Sequence, residues 1–130
     1  MIADETERRA GQVLMAGFAD TEVPQSLCRL LAQQALGGVV LFKRNLPDAA
    51  TAARINRALI EASTGLPPLI AVDQEGGRVA RLRHPLLELP CMARLGQIDD
   101  PDLTERAARL LGEQLAALGF SLNFAPVLDV

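Results

Sequence analysis

Two hydrophobic patterns alternate along the chain: short unbroken apolar runs, and longer stretches in which apolar residues recur every three or four positions. The runs have the length of buried strands, whereas the periodic stretches predict helices with one covered face. After a short polar helix beginning near residue 4, residues 13–18 form the first run. Pro24 then opens a helix that carries Leu27, Leu30, Leu31 and Leu36 toward a stop at Gly37-Gly38. Residues 38–42 are a second strand and residues 43–47 its exit loop, and Asp48 is placed to cap a helix over 49–63 with Ile55, Leu59 and Ala62 inward. Leu69–Val72 is a third strand, running into a polar stretch from Asp73 to Arg81. A helix over 102–118, opened by Pro101 and stopped by Gly119, leads to a last strand over 121–128.

Strands apolar on both faces and separated by helices predict an α/β fold built on a parallel sheet. A doubly wound sheet and the first part of a (β/α)8 barrel satisfy this pattern equally. No repeat, low-complexity stretch or linker divides residues 1–130, so a single domain is expected.

Composition narrows the functional classes. With 130 residues, 49% of them hydrophobic, and a net charge of −3, the chain is one small soluble domain able to form a core without disulfides or metals. Its basic residues are scattered and its only aromatics are four Phe, which argues against a nucleic-acid groove or stacking platform. Cys28 and Cys91 match no metal-ligand spacing and read as reduced core thiols, so neither a metal nor a cofactor is expected. The N-terminus is charged and lacks the apolar core of a signal peptide, and no apolar run approaches the ~18 residues of a membrane span. A cytoplasmic protein with no membrane partner is the expectation.

Candidate chemistry concentrates in Asp73-Gln74-Glu75-Gly76-Gly77-Arg78-Val79-Ala80-Arg81, directly after a buried strand. In parallel α/β folds that end of the sheet carries function. A carboxylate that accepts hydroxyl hydrogens beside a guanidinium that donates in a fork suits a polyhydroxylated ligand, with Asp73 and Arg81 as the leading pair. The structural alternative makes Asp73 a helix cap and pairs Glu75 with Arg78. Gly76-Gly77 lacks dinucleotide-fingerprint spacing, and Glu75 would repel a pyrophosphate. Asp73 and Glu75, neighbours on one loop, are poorly placed to flank a scissile bond as acid and nucleophile. His84, before Pro85, reads as a solvated loop residue. Asp129, Asn45 and Asp20 follow other strands and are secondary candidates for the same rim, Asp129 equally as a helix cap or an arginine's partner.

Three longer motifs carry a resemblance: residues 37–45 (Gly-Gly-Val-Val-Leu-Phe-Lys-Arg-Asn), residues 69–79 (Leu-Ile-Ala-Val-Asp-Gln-Glu-Gly-Gly-Arg-Val) and residues 123–130 (Asn-Phe-Ala-Pro-Val-Leu-Asp-Val). Together, in this order and at barrel-strand intervals, they resemble the N-terminal half of glycoside hydrolase family 3, in its bacterial β-N-acetylhexosaminidase branch. Residues 11–18 fit the family's first strand. The resemblance implies a (β/α)8 TIM-type barrel, of which this chain supplies about the first four β/α units. It also implies a retaining, exo-acting hydrolase that releases β-linked N-acetylglucosamine during recycling of cell-wall muropeptides in the cytoplasm. Asp73 matches the family's carboxylate for sugar hydroxyls and Arg81 a second substrate-binding residue, with Glu75, Arg78, Asp129 and Asn45 as supporting candidates around them. The family's nucleophilic Asp and histidine acid/base fall after the matched region, so residues 1–130 are expected to hold no catalytic residue. A complete barrel needs about 250 residues. The chain is therefore expected to be a fragment, inactive alone and completed by the missing C-terminal half or prone to self-association. The alternatives are a β-glucosidase of the same family and a non-catalytic sugar-binding or assembly module.

Overall fold

The computed structural model describes residues 5–128. In chain order the elements are α1 (Glu5–Gly11), β1 (Met15–Ala16), α2 (Gln25–Ala32), β2 (Gly38–Leu41), a 3-10 turn (Lys43–Asn45), α3 (Ala49–Ala62), β3 (Leu69–Val72), β4 (Gln74–Gly76), β5 (Val79–Ala80), α4 (Met92–Ile98), α5 (Pro101–Ala117) and β6 (Leu122–Asn123). Four strands form one parallel sheet in the order β1-β2-β3-β6, and β4 and β5 form a separate antiparallel pair. The α/β expectation with a parallel sheet holds. Parallel neighbours need crossovers, and α2, α3 and then α4 with α5 supply them.

Strand alternation sends Val39 and Leu41 of β2, and their partners Ile70 and Val72 of β3, to one face. All four are buried in a cluster with Leu27 and Leu31 of α2, Ala52, Ile55 and Leu59 of α3, and Leu111 and Leu115 of α5. The opposite face is different in kind. A Cβ placed on Gly38 would meet the side chains of Met15 and Leu69, so these residues share that face. Met15, Val40 and Leu122 on it are half-buried, and Leu69 is 49% exposed. Helices therefore pack against the Val39–Ile70 face and leave an apolar face partly open to solvent.

Several elements are shorter than the pattern predicts, for local reasons. Val13 and Leu14 bond back to Ala10 and Gly11, continuing the turn that ends α1, and are 83% and 56% exposed. Only Met15–Ala16 is left to pair with β2. The last run pairs through Leu122 and Asn123 alone, because Pro126 has no N–H with which to extend a ladder. Gln34 adopts φ +58 and ends α2 ahead of Leu36, which stays buried. α4 is absent from the sequence reading because seven residues with one buried side chain, Leu95, carry too little periodicity. The cysteine expectation needs correction: both thiols are free, but Cys28 is half-buried and Cys91 lies exposed at the start of α4. Among the described residues no helix is long and apolar enough to cross a membrane.

Asp48 caps α3 as expected, accepting from the Thr51 N–H at 2.7 Å. That backbone hydrogen bond holds its carboxyl below the usual aspartate range. A folded value below the unfolded one makes the cap's contribution complete above the unfolded aspartate range and lost as pH falls through the folded value. Asp48→Asn caps without ionising. Urea unfolding followed on acidification should therefore show a smaller loss of stability for Asp48→Asn than for the parent chain; equal losses would contradict the assignment.

Candidate functional site

The site begins where β3 ends. Asp73 is the next residue, and the polar stretch after it is a β-hairpin rather than the strand-end loop its composition suggests. β4 and β5 pair through Gln74–Ala80 and Gly76–Val79, with an irregularity between Gln74 and Gly76. Gly76 has φ +103, and a Cβ there would lie 2.4 Å from the Pro90 carbonyl oxygen, so only glycine fits this turn. The reversal returns the chain to its starting point. Arg81 Nη2 donates to Asp73 Oδ2 at 2.8 Å, and the two side chains are only 25% and 22% exposed.

The pair is half used up by this contact. Asp73 Oδ1 and Arg81 Nη1 have no partner among the described residues, and Arg81 Nε, also without an acceptor, is buried away from any ligand. A carboxylate with an open oxygen beside a guanidinium with donors to spare presents acceptor and donor side by side, the array that vicinal hydroxyls match. Arg81 also lines a recess of about 270 Å³ shared with Lys43, Pro47, Asp48, Arg83 and His84. Beside this recess, Arg83 bonds Glu88 at 2.8 Å, and that hydrogen bond, aided by the His84 N–H, holds the Glu88 carboxyl below the usual glutamate range.

The other candidates divide. Glu75 lines a different recess, about 620 Å³, with Gly76, Cys91, Met92, Ala93, Val127 and Leu128. Arg78 sits exposed at the hairpin turn, and among the described residues neither Glu75 nor Arg78 forms an ion pair, so the structural pairing considered for them is not made. Asn45 is fully buried and bonds Phe42 N–H, Phe18 C=O and Asp20 C=O. It ties the exit of β2 to the exit of β1 and does not bond Asp73 or Arg81. Asp20 contributes that carbonyl, while its carboxylate accepts from Thr21. His84 is exposed in its loop. Asp129, expected near the same mouth, lies outside the described residues. Among the described residues no group of His, Cys, Asp and Glu is arranged to hold a metal ion.

Two residues outside the candidates named from the sequence, Gln74 and Asn123, shape the site. Gln74 is 2% exposed; its Oε1 accepts from Arg81 N–H at 2.8 Å and Leu82 N–H at 3.0 Å, and its Nε2 donates to Leu82 C=O at 2.6 Å. Asn123 of β6 clasps the Gln74 backbone, accepting from its N–H at 2.9 Å and donating to its C=O at 3.1 Å. A signal was present in the sequence: Ile70, Val72 and Gln74 continue one buried alternation, and a polar side chain in such a position must find partners.

Comparisons with known proteins agree with one another. The profile of the family described as "Glycosyl hydrolase family 3 N terminal domain" matches residues 5–130. A protein named Beta-hexosaminidase from Idiomarina loihiensis is 41% identical over 121 residues, which is 90% of this chain and 36% of that protein. Its namesake from Nitrosomonas eutropha is 42% identical over 123 residues, 90% of this chain and 35% of that protein. The chain thus spans about a third of the length of these curated relatives. Among solved structures, the glycoside hydrolase family 3 β-N-acetylglucosaminidase from Paenibacillus sp. FPU-7 superposes with a TM-score of 0.90 at 36% identity, covering 98% of this chain and 25% of that one. NagZ from Neisseria gonorrhoeae, in complex with N-trifluoroacetyl-D-glucosamine, gives a TM-score of 0.76 at 35% identity, covering 90% of this chain and 36% of that one.

The hairpin turn generates a direct test. Gly76→Ala meets both a left-handed backbone and the Pro90 carbonyl, and should destabilise the fold by about 1 kcal/mol or more. Urea unfolding measures it; an unchanged midpoint would show that the turn relaxes freely.

Proposed function

Because the chain belongs to glycosyl hydrolase family 3, matching its N-terminal domain, we propose that it forms the first four β/α units of a (β/α)8 barrel in a β-N-acetylglucosaminidase. One observation carries the functional reading: the Asp73–Arg81 pair at 2.8 Å, sheltered at the C-terminal end of β3 with an open carboxylate oxygen. In this reading Asp73 Oδ1 accepts from sugar hydroxyls while Arg81 donates to a neighbouring oxygen, and their mutual contact fixes both before the sugar arrives. The sugar is N-acetylglucosamine, β-linked in peptidoglycan-derived muropeptides, cleaved from the non-reducing end with retention in the cytoplasm. The hexosaminidase names of the relatives favour this sugar over a simple glucoside.

The barrel reading draws support from the sheet. A doubly wound sheet has helices on both faces. Here they cover one, and the partly open apolar face has the character of a barrel interior. β1 and β6 are the edges of the described sheet. In the complete enzyme further strands pair with them, and without those strands they favour self-association. The nucleophile and acid/base belong to parts of the family fold that residues 1–130 do not match, so these residues contribute binding and not bond cleavage.

The test is kinetic. In the complete gene product, Asp73→Ala and Arg81→Ala should each lower kcat/KM on an aryl β-N-acetylglucosaminide about tenfold or more, as expected for a lost charge-assisted hydrogen bond of roughly 1.5–3 kcal/mol. Both variants should keep cooperative unfolding. Residues 1–130 alone should show no turnover. Wild-type kinetics in the variants, turnover by residues 1–130 alone, or a complete gene product that prefers the aryl β-glucoside would overturn the reading.

A further inference from the structure

We propose that Gln74 and Asn123 are positioning residues that set sugar affinity through Arg81; the inference rests on the sugar-binding role proposed above for Asp73 and Arg81. The β4–β5 ladder ends at Ala80. Beyond it, the backbone N–H groups of Arg81 and Leu82 bond the side chain of Gln74, at 2.8 and 3.0 Å, and the Leu82 carbonyl accepts from the same amide at 2.6 Å. The place from which the Arg81 side chain departs is thus set by one amide.

That amide is itself held from the neighbouring strand. Asn123 grips both the N–H and the C=O of Gln74, at 2.9 and 3.1 Å. Asp73 is joined to Gln74 by a peptide bond, so the grip that fixes Gln74 also fixes the start of the Asp73 side chain. Both members of the pair are registered to Gln74, one through its backbone and one through its side chain, and Gln74 is registered to β6. A role confined to stability would need only that a buried Gln be satisfied. Here one of the three bonds falls on the backbone N–H of Arg81, the residue that reaches Asp73, and the other two fix Leu82 directly after it. Small displacements of a binding group from productive geometry are costly, because the second contact to the sugar is lost when the first is kept.

A double-mutant cycle in the complete gene product tests this, reading kcat/KM on an aryl β-N-acetylglucosaminide and the inhibition constant of N-acetylglucosamine. Gln74→Met and Asn123→Ala should each lower kcat/KM and sugar affinity about tenfold. In an Arg81→Ala background, which keeps the backbone N–H, Gln74→Met should cost less than about twofold, since the group its side chain positions is gone, and Asn123→Ala, which still acts on Asp73, should cost less than it does with Arg81 present. Losses that simply add to that of Arg81→Ala, or wild-type kinetics in the single variants, overturn the inference while leaving the sugar-binding reading intact. If Arg81→Ala itself keeps wild-type kinetics, the sugar-binding reading falls and the inference with it. Asn123 is only half-buried, so Asn123→Ala carries the same cycle should Gln74→Met fail to fold.

Discussion

The buried amide of Gln74 is the constraint on which the site depends. At 2% exposure it has no water to turn to, and a buried amide left unpaired costs about 1–3 kcal/mol. Its Oε1 and Nε2 are satisfied only if the chain reverses after β3 and brings Arg81 and Leu82 alongside. The hairpin geometry, the left-handed glycines at its turn and the contact between Asp73 and Arg81 all follow from meeting that requirement. Asn123 adds the link to β6, so the polar end of the sheet is joined across strands by side-chain amides where the backbone ladder stops.

The same division of labour runs through the fold. Asn45 stitches the exits of β1 and β2 as Asn123 stitches β3 to β6, in both cases by an amide that donates and accepts against backbone. The helix-covered face of the sheet, with Val39, Leu41, Ile70 and Val72, supplies the rigid base. Its C-terminal end is therefore a framework of fixed backbone from which Asp73 and Arg81 extend, and side chains held on such a framework would lose little freedom in binding the sugar proposed for them.

Much of this is legible in the chain, and the failures have physical causes. β3 and the cap at Asp48 are read at their observed bounds because local chemistry decides them: an apolar run between prolines and a polar residue, and an aspartate three residues before a free N–H. β1 and β6 are overestimated because apolar runs register burial, whereas strand length depends on which neighbour offers a ladder. The hairpin is missed because Asp, Gln, Glu and two Gly carry a loop's composition, and the bonds that tie it to Asn123 and to Arg81 and Leu82 are side chain to backbone, which periodicity does not record. Asp73 and Arg81 stand out by their chemical types, and the structure brings them into contact. Glu75 is close to them in sequence, yet it lines another recess.

In the function proposed above, the Asp73–Arg81 pair receives a sugar. A crystal structure of the complete gene product with N-acetylglucosamine tests it most directly. Sugar hydroxyls should lie within about 2.5–3.2 Å of Asp73 Oδ1 and of an Arg81 guanidinium nitrogen, with the bonds from Gln74 to Arg81 and Leu82 unbroken. A sugar bound in the molecule without touching either side chain would contradict it.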